Sequence, residues 1–381
     1  MSQKEFEKRL KQVFEYFHQT PELSYKEYST TNKLEELLKA ENIDILDLPL
    51  KTGIVAEIKG KKDGPIIAIR TDIDALPITE ETNLSYKSKN LGKMHACGHD
   101  FHMTTILGAA YLLKRDEKNL QGTVRVVFQP AEESSHGAEE IIKTKALENV
   151  QAIFGLHTAP DLEVGTLGTN VGPLTAAVDR FEIEVTGAGT HAAHPDLGID
   201  PIVVISNIVT ALQTIVSRNI HPFNPAIVSV THIESGHTWN VIPEKAYIEG
   251  TVRTLNEKDR SLIPRNIKTL AQNIAKSYGA RADFRWHEGP PATNNDKVWT
   301  EVAIRVAKDT GYKVKIIPPK LGGEDFAYYQ KKLPGAFVDI GVGIGESLHS
   351  PKFRADESAL LKSSEYFRNL AEQALIIIKE G

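Results

Sequence analysis

The chain has 381 residues, a formal net charge of −5, a sequence pI near 6.2 and one cysteine. That length favours two domains over one core, and the mild acidity argues against nucleic acid as a partner. A single cysteine excludes an internal disulfide framework and fits a reducing compartment, read here as the cytoplasm. The charged, amphipathic N-terminus lacks a signal-peptide core. The longest apolar run, at 201–209, is too short to cross a bilayer, so no membrane role is expected.

Apolar residues at helical spacing (Phe6, Leu10, Val13, Phe14, Phe17) predict a helix over 5–18. Leu34, Leu37 and Leu38 predict a second over 26–40. Strands are expected over 54–58 and 66–69, joined by a turn at 61–64. The second strand runs into Arg70-Thr71-Asp72-Ile73-Asp74. A helix over 104–113 follows. A strand over 124–128 ends in Gln129-Pro130-Ala131-Glu132-Glu133, ahead of a helix over 134–142. Another strand, 152–156, ends in His157, and short strands follow at 166–169 and 175–178. Three strands thus deliver a polar residue (Asp72, Glu132, His157) at the same end, where α/β folds place ligand chemistry. Taken singly, each carboxylate has an ordinary explanation as a cap or a solvated charge.

Residues 179–289 read as a separate unit. A strand over 181–186, a helix over 201–218, strands over 226–233 and 246–255, a helix over 259–278 and a strand over 282–287 give the split β-α-β-β-α-β pattern of a ferredoxin-like domain. Residues 289–295, rich in proline and asparagine, read as the return linker. Then come a helix over 298–309 and a strand over 313–317. A glycine loop at 321–326 is expected to open a helix at an anion-friendly N-terminus. A strand over 336–340, flexible glycines at 341–345, a loop with His349 and a last helix capped by Asp356 complete the chain. The expected fold class is α/β, with a mostly parallel central sheet formed by 1–178 and 293–381, interrupted by an inserted α+β domain at 179–292.

The chemistry centres on residues 94–102, MHACGHDFH. Cys97 and His99 are one residue apart, so in an extended or turn segment both side chains point the same way. A thiolate and an imidazole aimed into one space suit a borderline-soft divalent metal. Read alone, Cys97 also fits a thiol nucleophile or a small buried apolar residue. Cys97, His99, Glu133, His157 and His349 together are about as many side chains as two divalent ions need, if one ligand bridges. Glu132, beside Glu133, then has the role of general base, taking a proton from water and passing it to a leaving amine.

The stretches RTDIDALP at 70–77, MHACGHD at 94–100, QPAEE at 129–133 and GLH at 155–157 resemble the amidohydrolase/aminoacylase branch of the dinuclear metallopeptidases. NVIP at 240–243, GTVRT at 250–254, GGEDF at 322–326 and His349 extend the likeness over essentially the whole chain. That branch includes bacterial N-acyl-amino-acid deacylases, N-acetyldiaminopimelate deacetylase, hippurate hydrolases and plant indole-acetyl-amino-acid hydrolases. The resemblance implies a catalytic metal-binding domain interrupted by a lid or dimerisation domain. It implies two divalent ions per subunit (zinc, manganese, cobalt or nickel) on Cys97, His99, Glu133, His157 and His349, with Cys97 bridging. It also implies Glu132 as base and Asp74 as the residue that orients a histidine ligand. His191, in the glycine-rich loop at 187–193, is similar to a family histidine that reaches the scissile carbonyl from its own or a partner subunit. Asn240 and Arg253 are candidates for the substrate carboxylate, with ordinary hydrogen bonding inside the domain as the alternative. The implied substrate is a small N-acyl, in particular N-acetyl, amino acid. N-acetyldiaminopimelate deacetylase and dipeptidase or carboxypeptidase chemistry are the alternatives within the mechanism, and a catalytically inactive metal-binding regulator is the alternative outside it. A homodimer through the inserted domain is compatible with the likeness. The chain departs from the usual basic Arg-Arg-Asp-Leu-His start, carrying Phe14-Glu15-Tyr16-Phe17-His18. It also has Thr190 where a second glycine is common.

Overall fold

The computed structural model describes residues 2–61 and 63–380. The turn expected at 61–64 includes Lys62, which lies outside the described residues. The chain divides into two compact units: Met1–Leu174, Asn294–Pro318 and Asp325–Gly381 in one, Thr175–Thr293 and Pro319–Glu324 in the other.

The first unit opens with helices α1 (Gln3–Gln19) and α2 (Tyr28–Ala40). Ser2 and Glu5 form a capping box at the start of α1, and Phe6, Leu10, Val13, Phe14 and Phe17 are its buried stripe. Strands β1 (Asp44–Ile45), β2 (Ile54–Lys59) and β3 (Ile66–Asp72) precede α3 (His99–Arg115). Then come β4 (Thr123–Gln129), α4 (Gly137–Lys143), β5 (Val150–Ala159), β6 (Thr166–Thr169) and β7 (Gly172–Thr175). Helix α4 starts three residues later than expected, because a positive-φ turn at Ser135 falls at the start of the predicted helix.

The second unit runs β8 (Ala177–Thr186), β9 (Thr190–His191), α5 (Pro201–Asn219), β10 (Ala226–Ser235), β11 (Val241–Ile242), β12 (Lys245–Thr254), α6 (Glu257–Ser277) and β13 (Arg281–His287). Its sheet has the order β10-β12-β8-β13, antiparallel throughout. Val204, Ile205, Ile208, Leu212 and Ile215 of α5 and Ile263 and Ile267 of α6 cluster with Phe181, Ile183 and Ile248 of that sheet. Helix α5 spans the range expected for it and ends one residue later. It continues past Val209 to Asn219, and by length and composition alone it is long and apolar enough to cross a membrane. Its exposed face carries Ser206, Asn207, Thr210, Gln213 and Thr214. A third of its most apolar window is buried, on the face packed against the unit's sheet.

After β14 (Thr293–Asn295) come α7 (Lys297–Asp309), β15 (Lys313–Ile316), α8 (Ala327–Gln330), β16 (Gly335–Gly341) and α9 (Leu360–Glu380). The central sheet has the order β1-β2-β4-β3-β5-β16-β6-β15. Its core β4-β3-β5-β16 is parallel, as is β6-β15 at one edge, while β1-β2, β2-β4 and β16-β6 are antiparallel. Central strands bury both faces. Ile67, Ile69, Val126 and Phe154 pack among α1, α3, α7 and α9, while Ala68, Val127 and Ile153 pack with Ile141 and Phe337 on the other side. Because β3, β4 and β5 run parallel, their C-terminal ends share one sheet edge. Register puts Asp72 beside Gln129 and Arg70 beside Gly155.

Candidate metal centre

That shared edge holds the chemistry. Asp74 follows β3, and Glu132 and Glu133 follow β4. His157 lies inside β5 rather than after it, because the strand runs on to Ala159. Cys97 and Gly98 precede α3, and His99 is its first residue. His349 enters from a loop whose backbone N–H donates to Ala96 O, 2.8 Å. Ala131 (φ 56°) and His349 (φ 65°) both take left-handed backbone without being glycine, a strain typical of functional sites.

Five of the expected residues converge. Cys97 Sγ lies 3.4 Å from His157 Nε2 and 3.3 Å from His349 Nε2. Glu133 Oε1 lies 3.5 Å from His349 Nε2 and 3.9 Å from His99 Nε2. Donor atoms of Cys97, His99 and His157 fall within 4.8 Å of one another, as do those of Cys97, Glu133 and His349. Cys97 belongs to both sets, the arrangement a pair of ions with one shared ligand requires. His99 Nε2 and Glu133 Oε1 are buried without a hydrogen-bond partner. Leaving such groups unpaired costs about 1–3 kcal/mol each, and a cation between them removes that cost. The donor set fits a borderline divalent metal.

Electrostatics agree. Burial and the Glu133 charge push the Cys97 thiol well up, so its thiolate needs a cation alongside. Burial also pushes Glu133 up. Burial opposes charge on His99, but Asp72 and Asp74 outweigh it and raise its pKa well above the usual imidazole value. The local field therefore favours positive charge at this point. Burial, reinforced by His102, holds His157 well below that value, in the neutral form that donates a lone pair.

Asp74 organises the group without joining it. His99 Nδ1–H donates to Asp74 O at 2.9 Å, with Asp74 Oδ1 at 3.2 Å, which leaves Nε2 aimed at the cluster. The carboxylate also accepts the N–H groups of Glu132 (3.1 Å) and Glu133 (3.0 Å) and the Ser24 hydroxyl (2.7 Å). One aspartate thus sets both the imidazole and the acid pair. Glu132 is half-buried, and its Oε1 accepts Asp325 N–H at 3.3 Å.

Beneath lies a buried ionic layer. Arg70, fully buried, donates to Asp72 (2.9 Å), Asp325 (2.6 Å) and Gln129 (2.8 Å). This corrects the expectation for the loop at 321–326. Helix α8 has only four residues, and Asp325, the loop's own carboxylate, is the anion being held. Sequence reasoning also missed Glu27, which accepts Ala131 N–H at 2.8 Å and whose pKa burial raises to about 7. It missed His102 as well. The signal was its i, i+3 spacing from His99, which puts both rings on one helix face.

The other three expected residues are in the second unit. His191 is exposed, on β9, where it pairs with Val241 of β11, and just beyond that ladder Ala192 N–H donates to the carbonyl of Asn240 at 3.0 Å. Arg253, half-buried on β12, donates to the Thr251 hydroxyl and to Val252 O.

Comparison with known proteins places this arrangement. The family model of peptidase family M20/M25/M40 matches residues 68–373. N-acetylcysteine deacetylase of Bacillus subtilis is 48% identical over all of this chain and all of its own length. The chain belongs to peptidase family M20/M25/M40. An Arabidopsis thaliana relative of this M20 chain, IAA-amino acid hydrolase ILR1-like 4, is 38% identical over 95% of this chain and 84% of its own. The crystal structure of Bacillus subtilis YXEP, described as a dinuclear metal-binding peptidase of the same family, superposes with a TM-score of 0.90 at 46% identity. It covers 98% of the M20 chain and 99% of its own.

Proposed function

We propose that this chain hydrolyses the amide bond of N-acyl amino acids, with Cys97, His99, Glu133, His157 and His349 holding two divalent ions and Glu132 acting as general base. The reaction class is metal-dependent amide hydrolysis, as in the relatives of the family. The observation that carries the site is the convergence of five donors on a shared thiol, with two buried donor atoms unpaired and an acid alongside. When bound, the ions supply Lewis acidity: an acidified water and a polarised carbonyl. Glu132, held by Asp325 N–H and backed by Asp74 through its own N–H, takes the water proton and delivers it to the leaving nitrogen. His191 is the proposed donor to the developing oxyanion, from its own or a partner chain. Its Nδ1 accepts Ala193 N–H at 3.0 Å, so the neutral ring carries its proton on Nε2. Asn240 and Arg253 are the proposed carboxylate contacts.

N-acetylcysteine is the first substrate to test, because two Bacillus subtilis relatives of that name are 48% and 45% identical over 100% and 97% of this chain. The second unit is the proposed lid and dimerisation domain. Ile202 and Val203 on α5 and Ile233 on the edge strand β10 are exposed apolar side chains suited to a second copy. The proposed setting is the cytoplasm, where a reduced thiol persists, without nucleic acid or membrane. The test strips the protein with a chelator and restores zinc, manganese, cobalt or nickel. N-acetylcysteine, other N-acetyl amino acids, N-acetyldiaminopimelate and dipeptides are then assayed. Activity should vanish on stripping and return with metal, and full activity in the stripped protein overturns the reading.

A further inference from the structure

Thr158, the residue after His157, is bonded to three parts of the centre. Its hydroxyl donates to Cys97 O at 2.9 Å. Its carbonyl accepts His157 Nδ1–H at 2.8 Å. Its N–H donates to His102 Nε2 at 2.8 Å. The close approach depends on Gly98, whose φ is +84° and where a Cβ would meet Thr158 Oγ1 at 2.6 Å.

His102 lies on α3 one turn after His99. With Asp72 and His99 it makes a group whose donor atoms all fall within 4.8 Å, which by composition passes for another metal site. Hydrogen bonding says otherwise. Nε2 accepts the Thr158 N–H, so the proton of the neutral ring is on Nδ1, which lies 2.7 Å from Asp72 Oδ1. Neither nitrogen keeps a lone pair for a cation. Asp72 is itself fixed by Arg70 at 2.9 Å.

We propose that His102 and Thr158 are positioning residues for the metal centre. The ring of His102, locked in one tautomer by Asp72, holds the main chain of Thr158, and Thr158 sets the His157 ring and the Cys97 backbone together. One residue thereby fixes a donor on β5 and a donor just ahead of α3, so the thiol and the imidazole keep their 3.4 Å separation. This rests on the metal reading above.

The test measures cobalt(II) affinity by chelator competition and the absorption spectrum of the cobalt-loaded protein, where the thiolate-to-metal band reports on Cys97. His102→Leu should lower affinity by about 10- to 100-fold, the cost typical of removing a ligand's outer partner. It should also weaken the thiolate band. His102→Gln, whose amide oxygen accepts from Thr158 and whose NH2 donates to Asp72, should restore both. Thr158→Val removes only the hydroxyl and should shift the thiolate band, and Thr158→Ser should bring it back. Wild-type affinity and spectrum in Thr158→Val overturn the proposal, whether or not His102→Leu folds. A wild-type protein that shows no thiolate band overturns the metal reading too, which separates the two failures.

Discussion

The two units differ in how they place histidine: most are buried in the first, and all are exposed in the second. In the first, His18, His95, His99 and His102 are buried and His157 is nearly so, while His136 and His349 are exposed. In the second, His191, His194, His221, His232, His237 and His287 are all exposed. Neighbouring carboxylates fix one ring nitrogen each of His18 (Asp100), His99 (Asp74) and His102 (Asp72), which sets the tautomer and direction of those rings, while both nitrogens of the buried His95 have no hydrogen-bond partner. An exposed imidazole is satisfied by water, and its direction is settled when a ligand arrives. The first unit therefore holds donors ordered by their neighbours, and the second carries exposed histidines whose stability role is small.

The largest effect expected from this contrast is at Glu132. Glu132→Gln should cut kcat by about 100- to 10,000-fold, the usual worth of a general base, with metal content by elemental analysis unchanged. Activity near wild type would remove Glu132 from its role. His191→Ala should lower kcat by about 100- to 1,000-fold, as loss of an oxyanion donor does, yet leave the Tm where it was. A large fall in Tm would erase the distinction between the units. Arg70→Met probes the opposite case. It strands the Asp72 and Asp325 carboxylates, and urea unfolding should show a loss of about 3–5 kcal/mol.

The smallest effect is a pH slope. Burial opposes charge on His18, but Asp100 (2.6 Å) and Glu80 (3.3 Å) outweigh it and raise its pKa from 6.5 to about 10. A raised imidazole pKa adds stability that is full below 6.5 and is lost as pH rises through about 10. The Tm should therefore decline over that window, and His18→Gln should flatten the decline. An equal slope in both proteins would assign the alkaline loss to other groups.

Much of this site was legible in the chain because its donors lie in tight local motifs. The Glu132-Glu133 pair follows a strand, Cys97 and His99 sit at the start of a helix, and parallel strand direction alone brings strand ends to one side of the sheet. The start of the helix expected at 134 and the anion site expected at 321–326 were misplaced for a different reason. Positive-φ turns and a carboxylate 255 residues from its arginine in sequence are set by packing, and local periodicity carries no record of them.

By itself, then, the amino-acid order determined the alternation of strands and helices, the two-unit layout and the types of donor available, since hydrophobic spacing and ligand chemistry are properties of short segments. Only the tertiary structure decided which nitrogen of each imidazole is free. His99 keeps Nε2 open because Asp74 takes Nδ1, and His102 keeps neither because Asp72 and Thr158 take both. The two residues are three apart on one helix, and their difference comes wholly from the groups that folding places against them.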